Sequence, residues 1–163
     1  MTPDQQTTLK AAILADPTLA AMTSGPGTDY NAIALAMSAE ASPAFVVWKT
    51  KVTRAELQDM DAFNWTVVDN LSTGSKYRIW EWMFGTTGSI NPSKANIRAG
   101  IAATWVGNAQ LLAVQAAVLA GCKRKATRTE RLLATGTGSD GSPGLLTYEG
   151  GLSLGEVAGM FNA

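Results

Sequence analysis

Five cations fall within nine residues: Lys123, Arg124, Lys125, Arg128 and Arg131. Read as one helix, Arg124, Arg128 and Arg131 stand at i, i+4 and i+7 and share a face. Such a row of donors suits the phosphates of a nucleic acid backbone or the carboxylates of an acidic partner subunit. It equally suits a solvated helix face whose cations sit favourably near the C-terminus. Directly after it, Gly136-Thr137-Gly138-Ser139-Asp140-Gly141 spells G-x-G-x-x-G. A dinucleotide loop must leave a strand and open a helix, so that helix amides meet the pyrophosphate. This one follows a helical pattern and runs into Ser142-Pro143-Gly144, so no nucleotide site is expected. Gly136, Gly138, Gly141 and Pro143 read instead as a flexible loop that orders on assembly. A third concentration is aromatic: Tyr77, Trp80, Trp82, Phe84 and Trp105. Stacking on bases is one use of such a group. The i, i+3, i+7 spacing of Tyr77, Trp80 and Phe84 favours core packing. Trp82 lies off that face and is the candidate subunit anchor.

Catalytic parts are scarce. The chain has no histidine, which removes the commonest general base and the usual Ser-His and Cys-His pairs. A single cysteine, Cys122, excludes an internal disulfide and a thiolate zinc site. Asp59 and Asp61 are the closest acidic pair but lack the glycine and glutamate of a calcium loop. No catalytic, cofactor-binding or metal residue is assigned, and an enzyme is not expected.

Charge is sorted along the chain. Residues 1 to 75 carry a net −4, residues 76 to 135 a net +7, and residues 136 to 163 a net −3. The sum is zero, so a basic middle lies between acidic ends. That pattern fits neighbours that dock acidic surface on basic surface, or a polyanion nearby. Charged residues make up only 16% of the chain, against about a quarter in an average globular protein. A surface short of charge suits burial against other subunits. The start lacks a basic–apolar leader, and the longest apolar run, Leu111 to Cys122, is too short to span a bilayer. Folding in a cytoplasm and no membrane partner are expected.

Local signals predict a mainly α single-domain helical bundle with short extended segments. Thr2-Pro3-Asp4-Gln5, Thr53-Arg54-Ala55-Glu56 and Ser153-Leu154-Gly155-Glu156 are capping boxes. Asp29 caps a second helix with Ile33, Ala36 and Met37 on one face. Ala44 to Thr50 reads as extended. Asn91-Pro92 opens a helix with Ile97, Ile101 and Trp105 as its stripe and Lys94 and Arg98 as a basic pair. A core helix begins near Asn108, with Leu111, Val114, Val118 and Cys122 inward and Leu112 and Leu119 widening that face. It is expected to run through Gly121 to Leu133. The predicted division is a helical core at 1–135 and a C-terminal arm at 136–163, formed by the flexible loop and a short strand and helix.

Several segments together resemble small proteins encoded by tailed bacteriophages and prophages. They are Leu9 to Pro17, Ser42 to Thr50, Ile79 to Phe84, Asn91 to Arg98, Cys122 to Arg128, Ala134 to Gly138, and Thr147 to Gly150. The resemblance covers nearly the whole chain and brings no catalytic motif. It implies a virion structural protein, similar to the head–tail connectors, or neck adaptors, that form a ring beneath the portal. The implied partners are further copies of the chain and the portal and tail proteins, with DNA in the lumen bound without sequence specificity. The implied location is the virion, after synthesis in the host cytoplasm. A decoration or minor tail protein is a second expectation, and a non-virion DNA-binding protein using residues 123 to 131 is a third.

Overall fold

The computed structural model describes residues 1–64, 66–67, 81, 83–85 and 87–162. It is mainly α with short strands, as the sequence predicts. Two compact units divide the chain: residues 1–47 with 125–163, and residues 48–124.

In the first unit, α1 spans Pro3–Ala15. The Thr2 hydroxyl accepts from the Gln5 amide, and the Gln5 side chain accepts from the Thr2 amide at 2.9 Å, which closes the capping box. Leu9 and Ile13, one turn apart, are fully buried. The helix stops where Pro17 cannot continue the hydrogen-bond ladder. Asp16 then caps α2, Pro17–Ala20, by accepting from the amides of Thr18 and Leu19. Helix α3, Tyr30–Ser38, is capped by Asp29 and buries Ile33, Ala34 and Met37.

The last helix of this unit, Leu154–Asn162, adds Val157 and Met160 to the same apolar cluster as Leu9, Ile13, Ile33 and Met37. Each such side chain contributes about 1.5–3 kcal/mol by leaving water. The segment expected as an arm is therefore part of a core. Its helix packs on α3 and α1, and Leu152 is 6% exposed.

In the second unit, β2, Val52–Thr53, pairs antiparallel with β3, Ser89–Ile90, with Val52 opposite Ile90. Helix α4, Arg54–Gln58, starts at the Thr53–Glu56 capping box. Helix α5 is Ala95–Thr104, shorter at its start than predicted. The Asn91 side chain accepts from the Ser93 amide and hydroxyl and forms a local turn, so Asn91-Pro92 precedes the helix instead of capping it.

Helix α6, Ala109–Gly121, is capped by Asn108. It holds no charged residue, and it buries Val114, Ala117 and Val118 beside Leu57, Ile101, Trp105 and Cys122. Leu112, expected to widen the inner face, is instead half exposed, at 50%.

The predicted helix from 108 to 133 is split. After Gly121 the chain turns into strand β4, Lys123–Lys125, and then into α7, Arg128–Leu133. Strand β4 pairs with β1, Val46–Trp48, and the division between the units falls within both strands. The C-terminal helix Leu154–Asn162 is α8.

Candidate functional site

The basic segment is spread over two elements rather than aligned on one helix face. Lys123, Arg124 and Lys125 lie on β4, Arg128 opens α7, and Arg131 lies in its last turn. The shared face expected for Arg124, Arg128 and Arg131 does not form, because a strand has a period of two and the helix starts anew at Arg128. The new start has a local cause. Thr127 and Glu130 form a reciprocal capping box, with the Thr127 amide donating to Glu130 Oε2 at 2.9 Å.

Two of the cations meet carboxylates from the acidic N-terminal stretch. Lys125 Nζ lies 2.7 Å from Glu40 Oε1, with both side chains more than half exposed. Arg128 Nη2 lies 2.7 Å from Asp16 Oδ2. Hydrogen bonding to Arg128 holds the Asp16 carboxyl below its ordinary range, with the Leu19 and Thr18 amides adding to the effect. Arg131 donates to the Pro43 carbonyl at 3.1 Å. In the second unit, Lys123 Nζ stands 5.6 Å from the centre of the Trp48 ring, and the Arg98 guanidinium 4.9 Å from it. Arg98 also donates to the carbonyls of Pro92 and Ser93. Exposed ion pairs of this kind add little to stability, because water screens them. Their main effect is to neutralise part of the basic segment within the chain and to fix its side chains.

The glycine loop is folded. Val46 donates to the Gly138 carbonyl at 2.7 Å, and Gly144 donates to the Val46 carbonyl at 2.9 Å. Thr135 and Leu145 exchange a pair of backbone hydrogen bonds, at 3.0 and 2.9 Å. Within the loop, Thr137 Oγ1 donates to Ser142, and the Ser142 amide donates to Ser139.

The Phe45 ring lies against both Gly138 and Gly144. A Cβ on Gly138 would collide with that ring, and one on Gly144 would come within 2.6 Å of it. Gly136 and Gly138 also take positive φ, +95° and +66°. The glycines thus serve a turn and a close approach to an aromatic ring. Gly141 and Pro143 sit at the rim, with open space around Gly141. The next helix after the G-x-G-x-x-G match, α8, opens only at Leu154. The loop expected to be flexible carries the hydrogen bonds described above.

Among the other candidates, Trp82, Trp80 and Tyr77 lie outside the described residues. Phe84 and Trp105 are core residues, 2% and 1% exposed, as their spacing predicts. Asp59 ends α4 as its C-cap. Among the described residues no three of His, Cys, Asp and Glu gather around a common point. Burial pushes the Cys122 thiol up to about 11, which suits packing and not nucleophilic chemistry.

The residue that sequence reasoning missed is Glu130. It is 1% exposed, and its two carboxylate oxygens accept from the Thr127 amide and, at 2.9 Å, from the Gly150 amide. It ties the start of α7 to the turn before α8. The Thr127-Arg128-Thr129-Glu130 pattern is itself a capping box and was the signal that a helix starts there. No protein-family model, curated protein or solved structure matches the chain. Among the described residues no helix is long and apolar enough to cross a membrane.

Proposed function

We propose that this chain is a virion structural protein of a tailed phage: a head–tail connector subunit that forms a ring at the portal–tail junction. Assembly is carried by one observation, large apolar side chains left in water on otherwise well-packed helices. Leu35 on α3 is 66% exposed, Leu154 on α8 53%, Leu14 on α1 50%, and Leu112 on α6 50%. A chain with only 16% charged residues covers these side chains most simply against copies of itself and its neighbours. The phage neck is read from the resemblance in the segments quoted above. Portal and tail proteins are the partners that this reading supplies, with exiting DNA in the lumen.

The free DNA-binding alternative draws less support, since Lys125 and Arg128 are already engaged with Glu40 and Asp16. A decoration or minor tail protein differs in copy number and attachment point. Particles produced without this chain test the reading by negative-stain microscopy. Separate heads and tails are expected. Joined, normal particles contradict it.

A further inference from the structure

We infer that residues 48–124 are the DNA-facing half of the subunit, a cationic unit that meets backbone phosphates without reading sequence. This rests on the connector reading, which brings DNA past the ring, and names the surface that would meet it. The fold re-sorts the charge of the chain. Residues 48–124 hold nine bases and five acids, a net +4, while residues 1–47 with 125–163 hold four bases and eight acids, a net −4. Pairing inside a unit cannot change these totals, so the second unit keeps an excess of four positive charges. Such an excess draws polyanions.

Three of these cations gather at one end of the small sheet. Val52 pairs with Ile90, so Lys51 and Asn91 leave β2 and β3 at the same end. The turn after Asn91 leads to Lys94, the N-cap of α5, and Arg98 lies one turn further on. Lys51 and Lys94 are exposed. Arg98 is fixed: Nη1 donates to the Pro92 and Ser93 carbonyls at 2.8 and 2.7 Å, and the guanidinium lies 4.9 Å from the centre of the Trp48 ring. Among the described residues none of the three meets a carboxylate. Nε and Nη2 of Arg98 remain to donate to a phosphate, and the fork is oriented before one arrives. Lys94 is also placed against local preference. A cation at a helix start opposes the helix dipole, and the first turn of α5 holds no acid. A phosphate beside it relieves that opposition.

The acidic unit of a neighbouring copy fits this surface less well. In that unit Asp16 and Glu40 hold Arg128 and Lys125, and Asp29 and Glu156 accept from amides at their own helix starts. Glu130 is buried. Five of its eight acids are thus engaged internally. DNA offers a charge for about every 1.7 Å of its axis, all of it exposed. Lys125, Arg128 and Arg131 belong to the acidic unit, so Lys51, Lys94 and Arg98 take their place as phosphate contacts.

Binding of the full chain to a labelled DNA duplex, followed by fluorescence anisotropy across a salt series, tests this contact. The parent should bind at low salt, with log affinity falling linearly against log salt. Lys51→Gln combined with Lys94→Gln should lower that slope by about two, since each phosphate contact contributes about 0.9. Both sites are exposed, so helical content by circular dichroism should match the parent. Lys125→Gln should leave the slope unchanged, because Lys125 lies in the first unit against Glu40. Three results overturn the contact: no binding at low salt, a double variant with the parent's slope, or a Lys125→Gln variant that lowers the slope as much. Absent DNA binding together with weaker self-association of the double variant in native mass spectrometry also overturns it, and gives the surface to an acidic neighbour. Each of these leaves the connector reading standing, which the copy number in the particle decides separately.

Discussion

Replacing Gly138 with alanine should unfold the glycine loop from Phe45 at a cost that separates into two parts. The first is conformational. Gly138 has φ +66°, where an added Cβ costs about 1–2 kcal/mol. The second is steric. The new methyl would overlap the Phe45 ring, which is also held from its other side by Gly144. Forcing a group into a packed site costs about 1–3 kcal/mol. The expected loss is therefore about 2–5 kcal/mol, a large share of a typical total stability of about 5–15 kcal/mol.

Urea unfolding followed by circular dichroism measures it. In a Phe45→Ala background the steric part should vanish and leave about 1–2 kcal/mol, so the double-mutant coupling reports the ring contact alone. Gly141→Ala is the control. Nothing lies within 4 Å of its added Cβ and its φ is not positive, so a change within about 0.5 kcal/mol is expected. A neutral Gly138→Ala, or the same loss with and without Phe45, would refute the account of a folded loop.

Other consequences follow from the same contacts. Glu130→Ala strands the Thr127 and Gly150 amides and should cost about 2–4 kcal/mol in chemical denaturation, with Glu130→Gln milder because one acceptor remains. Asp16 is held below its ordinary 3.8 by Arg128, so the unfolded chain binds its proton more readily than the folded one. Its stabilisation should be complete above pH ~4–5 and fade as pH falls through the lower folded value. Asp16→Asn should flatten that part of the pH–stability curve, and an unaltered curve would remove the pair from the explanation. Cys122 is fully buried with its thiol raised to about 11, so it should react with a thiol reagent only as fast as the chain unfolds. Prompt labelling of the native protein would contradict its placement.

Much of the helical architecture was legible because its signals are local. The boxes at Thr2, Thr53 and Ser153 and the caps at Asp29 and Asn108 each fix a helix start by hydrogen bonds within four residues, and each is present. Apolar spacing likewise identified Ile33, Met37, Ile101 and Trp105 as core. Most of what failed depended on contacts distant in sequence. A continuous helix from 108 to 133 follows the apolar spacing, although the Thr127–Glu130 capping box already marks a new start within it. The break at Lys123–Lys125 comes from pairing with β1, some 75 residues earlier. The loop at 136 to 144 reads as flexible because glycine, serine and proline permit disorder. Its order comes from Phe45 and Val46, which no local rule connects to it.

The cation cluster was visible, but its partners Glu40 and Asp16 lie 85 and 112 residues away, so its engagement was not. That engagement also changes how the segment can be probed. Arg128→Glu would oppose Asp16 inside one unit, and a lost assembly would then not report a subunit contact.

Copies of the chain per purified phage particle, counted by quantitative mass spectrometry against the major capsid protein, test the connector reading most directly. About a dozen copies, or a small divisor of that, are expected, as for a ring on the particle axis. Hundreds of copies, or none, would contradict it.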